Sequence, residues 1–161
     1  MNSAALEPDL RALYRETVLA HSRAPHHFGT LDHPDRVARG HNPLCGDKIS
    51  LYLQIGDERI AALRHETVGC AICVASASIM TDALNGHQVD DALAAADTVL
   101  REFSLEQREQ PVRGPGEMAA LSGVREYPSR IKCATLPWKT LAGALRGADT
   151  AATTEQSEQE D

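Results

Sequence analysis

Between residues 49 and 55 the chain alternates strictly. Ile49, Leu51, Leu53 and Ile55 are apolar, and Ser50, Tyr52 and Gln54 lie between them. This period-two pattern predicts a strand with one buried face. Gly56-Asp57 predicts a turn into a second strand over roughly 59–68, forming a hairpin, and Val37 to His41 predicts a short edge strand before it. Elsewhere the period is helical. Leu6, Leu10, Leu13, Thr17 and Val18, with Tyr14 beside them, share one face and predict an amphipathic helix over 7–21, with Pro8 in its first turn. A small-residue helix is expected from Cys70 to Gly86. Val89, Leu93, Ala96, Leu100 and Phe103 mark another, with Asp90 and Asp91 at its positive end. A short helix over 117–122 is expected to stop at Gly123. The last helix ends near Arg146. Pro137 in a helix interior costs ~3 kcal/mol or more, so this helix is expected to start near Cys133 or Ala134. The predicted fold class is α+β, a small antiparallel sheet of about three strands packed against several α-helices.

The 161 residues favour one domain with a core of its own. Aromatic residues are scarce, so Leu, Ile, Val and Ala must build that core. The formal net charge is −7, but five acids and no base follow Arg146, leaving the body near neutral. The expected organisation is a domain over 1–146 and an acidic, disordered tail over 147–161. A near-neutral body without a basic stripe argues against nucleic acid as a partner. No uncharged apolar run reaches the roughly 18 residues that cross a bilayer, and no apolar signal region follows Met1. No membrane association is expected, and a cytoplasmic location is.

Four cysteines in such a chain read as reduced thiols or ligands, not as a disulfide framework. Cys45 and Asp47 flank a glycine in Asn42-Pro43-Leu44-Cys45-Gly46-Asp47, just before the first long strand. Cys70 falls between a strand and a helix N-terminus, and Cys133 is placed at another helix N-terminus. Positive helix ends stabilise thiolates. Three thiolates and one carboxylate suit tetrahedral Zn²⁺, with oxygen the most replaceable ligand, and the same set suits an iron–sulfur cluster. Three cysteines of unrelated function are the plain alternative, because none has the tight pairing of a zinc finger. Cys70-x-x-Cys73 also admits a thioredoxin-like redox reading, although the surrounding pattern is a hairpin and not a βαβ unit. A zinc-deaminase reading lacks the His-x-Glu and Pro-Cys features it needs. His26 and His27 sit in a linker from Ser22 to Pro34 and are expected to face solvent, since neighbours in a loop rarely converge on one ion.

Three motifs then stand in order: Asn42-Pro-x-Cys-Gly-Asp47, Gly69-Cys70 followed by Ala75-Ser-Ala-Ser78, and Ser129-Arg-Ile-Lys-Cys133-Ala-Thr-Leu-x-Trp-Lys139. Over residues 6–146 the chain resembles the SufU branch of the NifU N-terminal/IscU-like family. The IscU-like scaffolds carry His-Cys at the third cysteine and a Leu-Pro-Pro-Val-Lys stretch before it. Here Lys132 precedes Cys133, and the Cys70–Cys133 interval contains an extra stretch around 104–123.

The resemblance implies the IscU/NifU-N-like fold and a role in iron–sulfur cluster biogenesis through the SUF system. It implies a zinc-dependent sulfur acceptor that takes persulfide sulfur from a SufS-type cysteine desulfurase. The alternative is a scaffold that assembles and passes on a [2Fe–2S] cluster, with iron in place of zinc. Cys45, Asp47, Cys70 and Cys133 match the family's zinc-ligand positions, and Cys45, on a Gly-containing turn, is the expected sulfur acceptor. The activity belongs to a desulfurase activator and not to a stand-alone enzyme. Cys73 departs from the family's small residue and is a candidate fifth ligand. Arg130 and Lys132 are candidates for stabilising thiolate or persulfide charge.

Overall fold

The computed structural model describes residues 3–104, 110–147 and 152–153, with backbone alone for 3–10 and 152–153. In chain order the elements are α1 (Ser3–Arg23), β1 (Arg36–Asn42), β2 (Asp47–Gly56), β3 (Arg59–Val68), α2 (Ala71–Leu84) and α3 (Val89–Ser104). A 3₁₀ segment (Gly116–Glu126), α4 (Pro128–Leu145) and β4 (Ala152–Thr153) complete it. The three predicted strands form an antiparallel meander in the order β3-β2-β1, and β4 pairs in parallel with β1 at Gly40 and His41. The β2–β3 turn is made by Asp57 and Glu58, both at positive φ (53° and 61°). That is the twist-matched geometry of a two-residue hairpin.

The alternation in β2 has the predicted consequence. Ile49, Leu51 and Leu53 are buried, while Lys48 on the other face is exposed. The apolar face meets α4 over β1 and β2, and α2 over β3. α3 packs on α4, and α1 with the 3₁₀ segment packs on α2. Each fully buried Leu or Ile contributes roughly 1.5–3 kcal/mol, so this single face supplies most of the sheet's stabilisation. Gly40 lets α4 approach: a Cβ there would overlap Thr140 Oγ1. Among the described residues no helix is long and apolar enough to cross a membrane.

Four expectations need correction. α1 begins at Ser3, so Pro8 lies in its second turn, not its first. Its buried face is set by Thr17 and His21, with Tyr14 and Val18 half-buried against the core, whereas Leu13 is 45% exposed. Gly123 does not end the short helix, which is a 3₁₀ run continuing to Glu126. A Cβ at Gly123 would lie 3.4 Å from Tyr14 Cδ2, so the glycine serves close packing on α1.

The last correction matters most. α4 starts at Pro128, in the first turn where proline is harmless, and Pro137 is in its interior. Pro137 removes the N–H that would meet the Cys133 carbonyl. In the same turn the Ala134 carbonyl accepts from Ser76 Oγ (2.6 Å), which itself accepts from Trp138 Nε1 (2.9 Å). Leu136, Trp138 and Leu141 are fully buried beside it. Their burial, at roughly 1.5–3 kcal/mol each, outweighs a proline cost of ~3 kcal/mol. The acidic tail lies outside the described residues apart from Gly147, Ala152 and Thr153, as do residues 105–109 of the extra stretch.

Candidate metal centre

β1 and β2 are joined by the short turn Pro43–Gly46, and their last cross-strand pair is Asn42 opposite Asp47. This register places Asp47 at the mouth of the sheet, facing inward and 0% exposed. Its two carboxylate oxygens are held from different elements. Oδ1 accepts from the Cys70 backbone N–H (2.8 Å), and Oδ2 accepts from Asn42 Nδ2 (3.3 Å). Gly69 makes the first contact possible. Its φ is +148°, and a Cβ there would overlap Asp47 Oδ1. Only glycine takes that backbone conformation without strain.

Cys70 follows as the N-cap of α2, its Sγ accepting from the Cys73 N–H at 3.5 Å. Cys133 enters from the opposite side. It is the sixth residue of α4, in the second turn and fully buried, and not at a helix N-terminus as the sequence suggested. The difference comes from Pro137, whose tolerated place in the helix moves the start back to Pro128. Cys45 sits on the turn, half-buried, its Sγ 4.0 Å from the Ser129 carbonyl oxygen and 4.0 Å from Arg130 Nη1.

Ligand atoms of Cys45, Asp47 and Cys133 lie within 4.8 Å of one another, a metal-competent group among the described residues. Cys70 Sγ lies outside this group of three, although the Cys70 backbone N–H donates to Asp47 Oδ1 and Cys133 is the neighbour that acts most strongly on its thiol. Tetrahedral zinc with bonds of about 2.3 Å to sulfur needs ligand separations of about 3.7 Å, so Cys45, Asp47 and Cys133 require only a small contraction, and Cys70 Sγ has to move in to complete the set. Three soft sulfurs and one hard oxygen fit zinc, and each carboxylate oxygen keeps a second lone pair for a metal.

The thiols differ in character without a metal. Cys70 is pulled down to about 7, chiefly by the hydrogen bond from Cys133, against the opposing effect of burial. Cys133 is pushed up by the same bond and by burial, so the pair keeps its proton on Cys133 and its charge on Cys70. The Arg130 guanidinium is pushed up, first by its hydrogen bond with Cys133 and then by the negative thiolates around it. Lys132 is half-buried at the start of the second turn of α4. Cys73 is 0% exposed and packs in the core. Burial first, then the Asp47 charge, holds its thiol well above the usual range.

The sequence of residues 13–134 matches the profile of the NifU-like N-terminal domain. The chain is a member of that family. Among its relatives is the iron–sulfur cluster assembly scaffold protein IscU of Streptococcus pyogenes serotype M1, 40% identical over 85% of each chain. Another is the zinc-dependent sulfurtransferase SufU of Bacillus subtilis (strain 168), 35% identical over 83% of this chain and 89% of that one. A solved structure from Fervidobacterium islandicum AW-1, described as an iron–sulfur cluster assembly scaffold for the SUF system, superposes with a TM-score of 0.73. It is 28% identical over 83% of this chain and 97% of that one. A NifU-like N-terminal structure from Brucella abortus gives the same TM-score, also at 28% identity, over 84% of this chain and 94% of that one.

Within this NifU-like domain, sequence reasoning missed one residue that organises the site and polar contacts elsewhere in the fold. Asn42 is fully buried, and Nδ2 also lies 3.6 Å from Cys133 Sγ, so it links carboxylate and thiol. Its signal was its position opposite Asp47 across the turn, but in sequence it reads only as the opening of Asn-Pro. His21 joins three elements: Nδ1 is 2.6 Å from Ser78 Oγ, and Nε2 is 3.0 Å from Glu117 Oε1. The linker histidines do meet one group. His27 has φ 55°, and His26 and His27 approach the two oxygens of Asp82 at 3.4 and 3.5 Å.

Proposed function

We propose that this protein serves iron–sulfur cluster assembly in the SUF system as a zinc-dependent sulfur acceptor. Zn²⁺ is held by Cys45, Asp47, Cys70 and Cys133, and Cys45 takes sulfur from a persulfide on a SufS-type cysteine desulfurase. The observation that carries this reading is the unequal anchoring and exposure of the donors. Asp47 and Cys133 are buried and Cys70 is fixed as a helix cap, whereas Cys45 is on a short turn between exposed Leu44 and Gly46. A turn can move without disturbing the sheet; a helix cap or a buried helix residue cannot.

When bound, zinc keeps the thiolates deprotonated and exchanges ligands without changing oxidation state. Cys45 thiolate attacks the outer sulfur of the partner's persulfide. The bond from that sulfur to the partner's cysteine breaks, and the partner's thiolate leaves. The sulfane sulfur changes carrier with no net oxidation. Arg130, with Nη1 4.0 Å from Cys45 Sγ, stands where the negative charge of the product persulfide develops. The name of the Bacillus relative and Lys132 before Cys133, where the scaffolds carry histidine, support this reading. Cys45→Ala should abolish stimulation of desulfurase turnover. Full stimulation by that variant would refute the acceptor role.

A second reading, assembly and transfer of a [2Fe–2S] cluster on the same ligands, is favoured by the name of the Streptococcus relative. It predicts bound iron and sulfide instead of zinc. Both readings place the protein in the cytoplasm, upstream of proteins that receive sulfur or clusters.

A further inference from the structure

The Cys70-x-x-Cys73 motif is left unused by the acceptor chemistry, and its geometry is specific. Cys70 caps α2 with extended backbone (φ −71°, ψ 158°), and Cys73 is the third residue of that helix. The Cys73 N–H donates to Cys70 Sγ at 3.5 Å, so the cap folds the Cys70 sulfur over the backbone of Cys73. Helical positions three apart have Cα atoms about 5 Å apart, inside the window of about 4.4–6.8 Å that a disulfide spans. The Cα–Cβ bond of a first-turn residue leans towards the helix N-terminus, which aims the Cys73 side chain at the cap. Exposure divides the labour. Cys70 is half-buried and reachable, whereas Cys73 is fully buried and cannot meet an oxidant itself.

We propose that Cys70 and Cys73 are a redox pair in which buried Cys73 resolves an oxidised Cys70 into an intrachain disulfide. With a hydroperoxide as oxidant, the Cys70 thiol becomes a sulfenic acid and the peroxide O–O bond is reduced to alcohol or water. The Cys73 sulfur then attacks Cys70 Sγ, the S–O bond breaks and water leaves. Two thiols have lost two electrons to one O–O bond. The disulfide removes Cys70 from the ligand set and leaves Cys45, Asp47 and Cys133, so oxidation and metal binding compete for one sulfur. The pairing itself does not depend on which metal binds; the competition rests on Cys70 being a ligand. Cys133 is the rival resolving thiol, because it is the neighbour that acts most strongly on the Cys70 thiol.

Trypsin separates the two outcomes. No Lys or Arg lies between His65 and Arg101, so Cys70 and Cys73 share one peptide, 65–101, and Cys133 falls in 133–139. Full-length protein is stripped of metal by a chelator, treated with equimolar hydrogen peroxide, alkylated, digested and weighed. The expected product is peptide 65–101 lighter by two hydrogens and unalkylated, and this product is absent from Cys73→Ser, whose folding is checked by circular dichroism. Preloading with Zn²⁺ should slow its formation at least about tenfold, since a metal-bound thiolate is withheld from the oxidant. A crosslink joining 65–101 to 133–139, or alkylation of both Cys70 and Cys73 after oxidation, overturns the pairing. An unchanged rate with zinc overturns the competition.

Discussion

Gly69→Ala tests how the site is held together. The new methyl group meets two obstacles. Its φ of +148° is a region that side-chain-bearing residues occupy at a cost of about 1–3 kcal/mol. The Cβ would also overlap the Asp47 carboxylate, forcing away the group that accepts from the Cys70 N–H at 2.8 Å. A hydrogen bond to a charged acceptor contributes roughly 1.5–3 kcal/mol, so the two effects together predict a loss of roughly 3–5 kcal/mol. Urea unfolding of metal-free protein measures it. With a slope of about 2 kcal/mol/M, the midpoint should fall by about 1.5–2.5 M. The same change in an Asp47→Ala background should cost less, because the carboxylate overlap and its hydrogen bond are gone while the positive φ and the 2.8 Å approach to the residue-47 Cα remain. The reasoning fails if Gly69→Ala alone stays within about 0.5 kcal/mol of the parent, or if it costs as much without Asp47 as with it.

Other outcomes follow from buried polar groups elsewhere. His65 is fully buried between Thr67 and the His26 carbonyl, and burial holds its pKa down at about 4, below the ordinary 6.5. Between those values the unfolded chain binds the proton and the folded chain does not. Stability should therefore fall as pH drops from 6.5 to 4, by about 3 kcal/mol in total. His65→Gln should remove that slope, and an unchanged pH profile would contradict the assignment. Ser76→Ala strands the buried Trp138 Nε1–H and removes the side-chain donor to the Ala134 carbonyl. It should cost roughly 1–3 kcal/mol in the same urea assay, and a cost under about 0.5 kcal/mol would mean that this contact does not hold α4 to α2.

Local pattern carried the fold a long way. The alternation from Ile49 to Ile55 defined β2, its face and its hairpin, because a period-two segment needs no distant partner to be recognised. The grouping of Cys45, Asp47 and Cys133 was legible for a different reason: rare side chains carry chemistry that apolar residues do not, even though Cys133 lies inside α4 and not at its start. Where the reading failed, the deciding partner was remote. Pro137 stops an isolated helix, but in this fold three buried side chains offset the cost, and Ser76, 58 positions before Ala134, ties that turn of α4 to α2. Leu13 fits the helical period of α1, yet the buried stripe passes through Thr17 and His21, because His21 finds Ser78 and Glu117. Asn42 was visible as a turn residue and invisible as the bridge between Asp47 and Cys133, since that role exists only after α4 docks.

The central claim is that this site holds zinc and passes sulfur, and the metal and acid-labile sulfide content of the protein tests it most directly. The protein is purified anaerobically from cells supplied with both iron and zinc. About one zinc per chain without sulfide, as a closed tetrahedral site requires, is the predicted result. Iron with matching sulfide would contradict it and make the same four ligands the seat of a cluster.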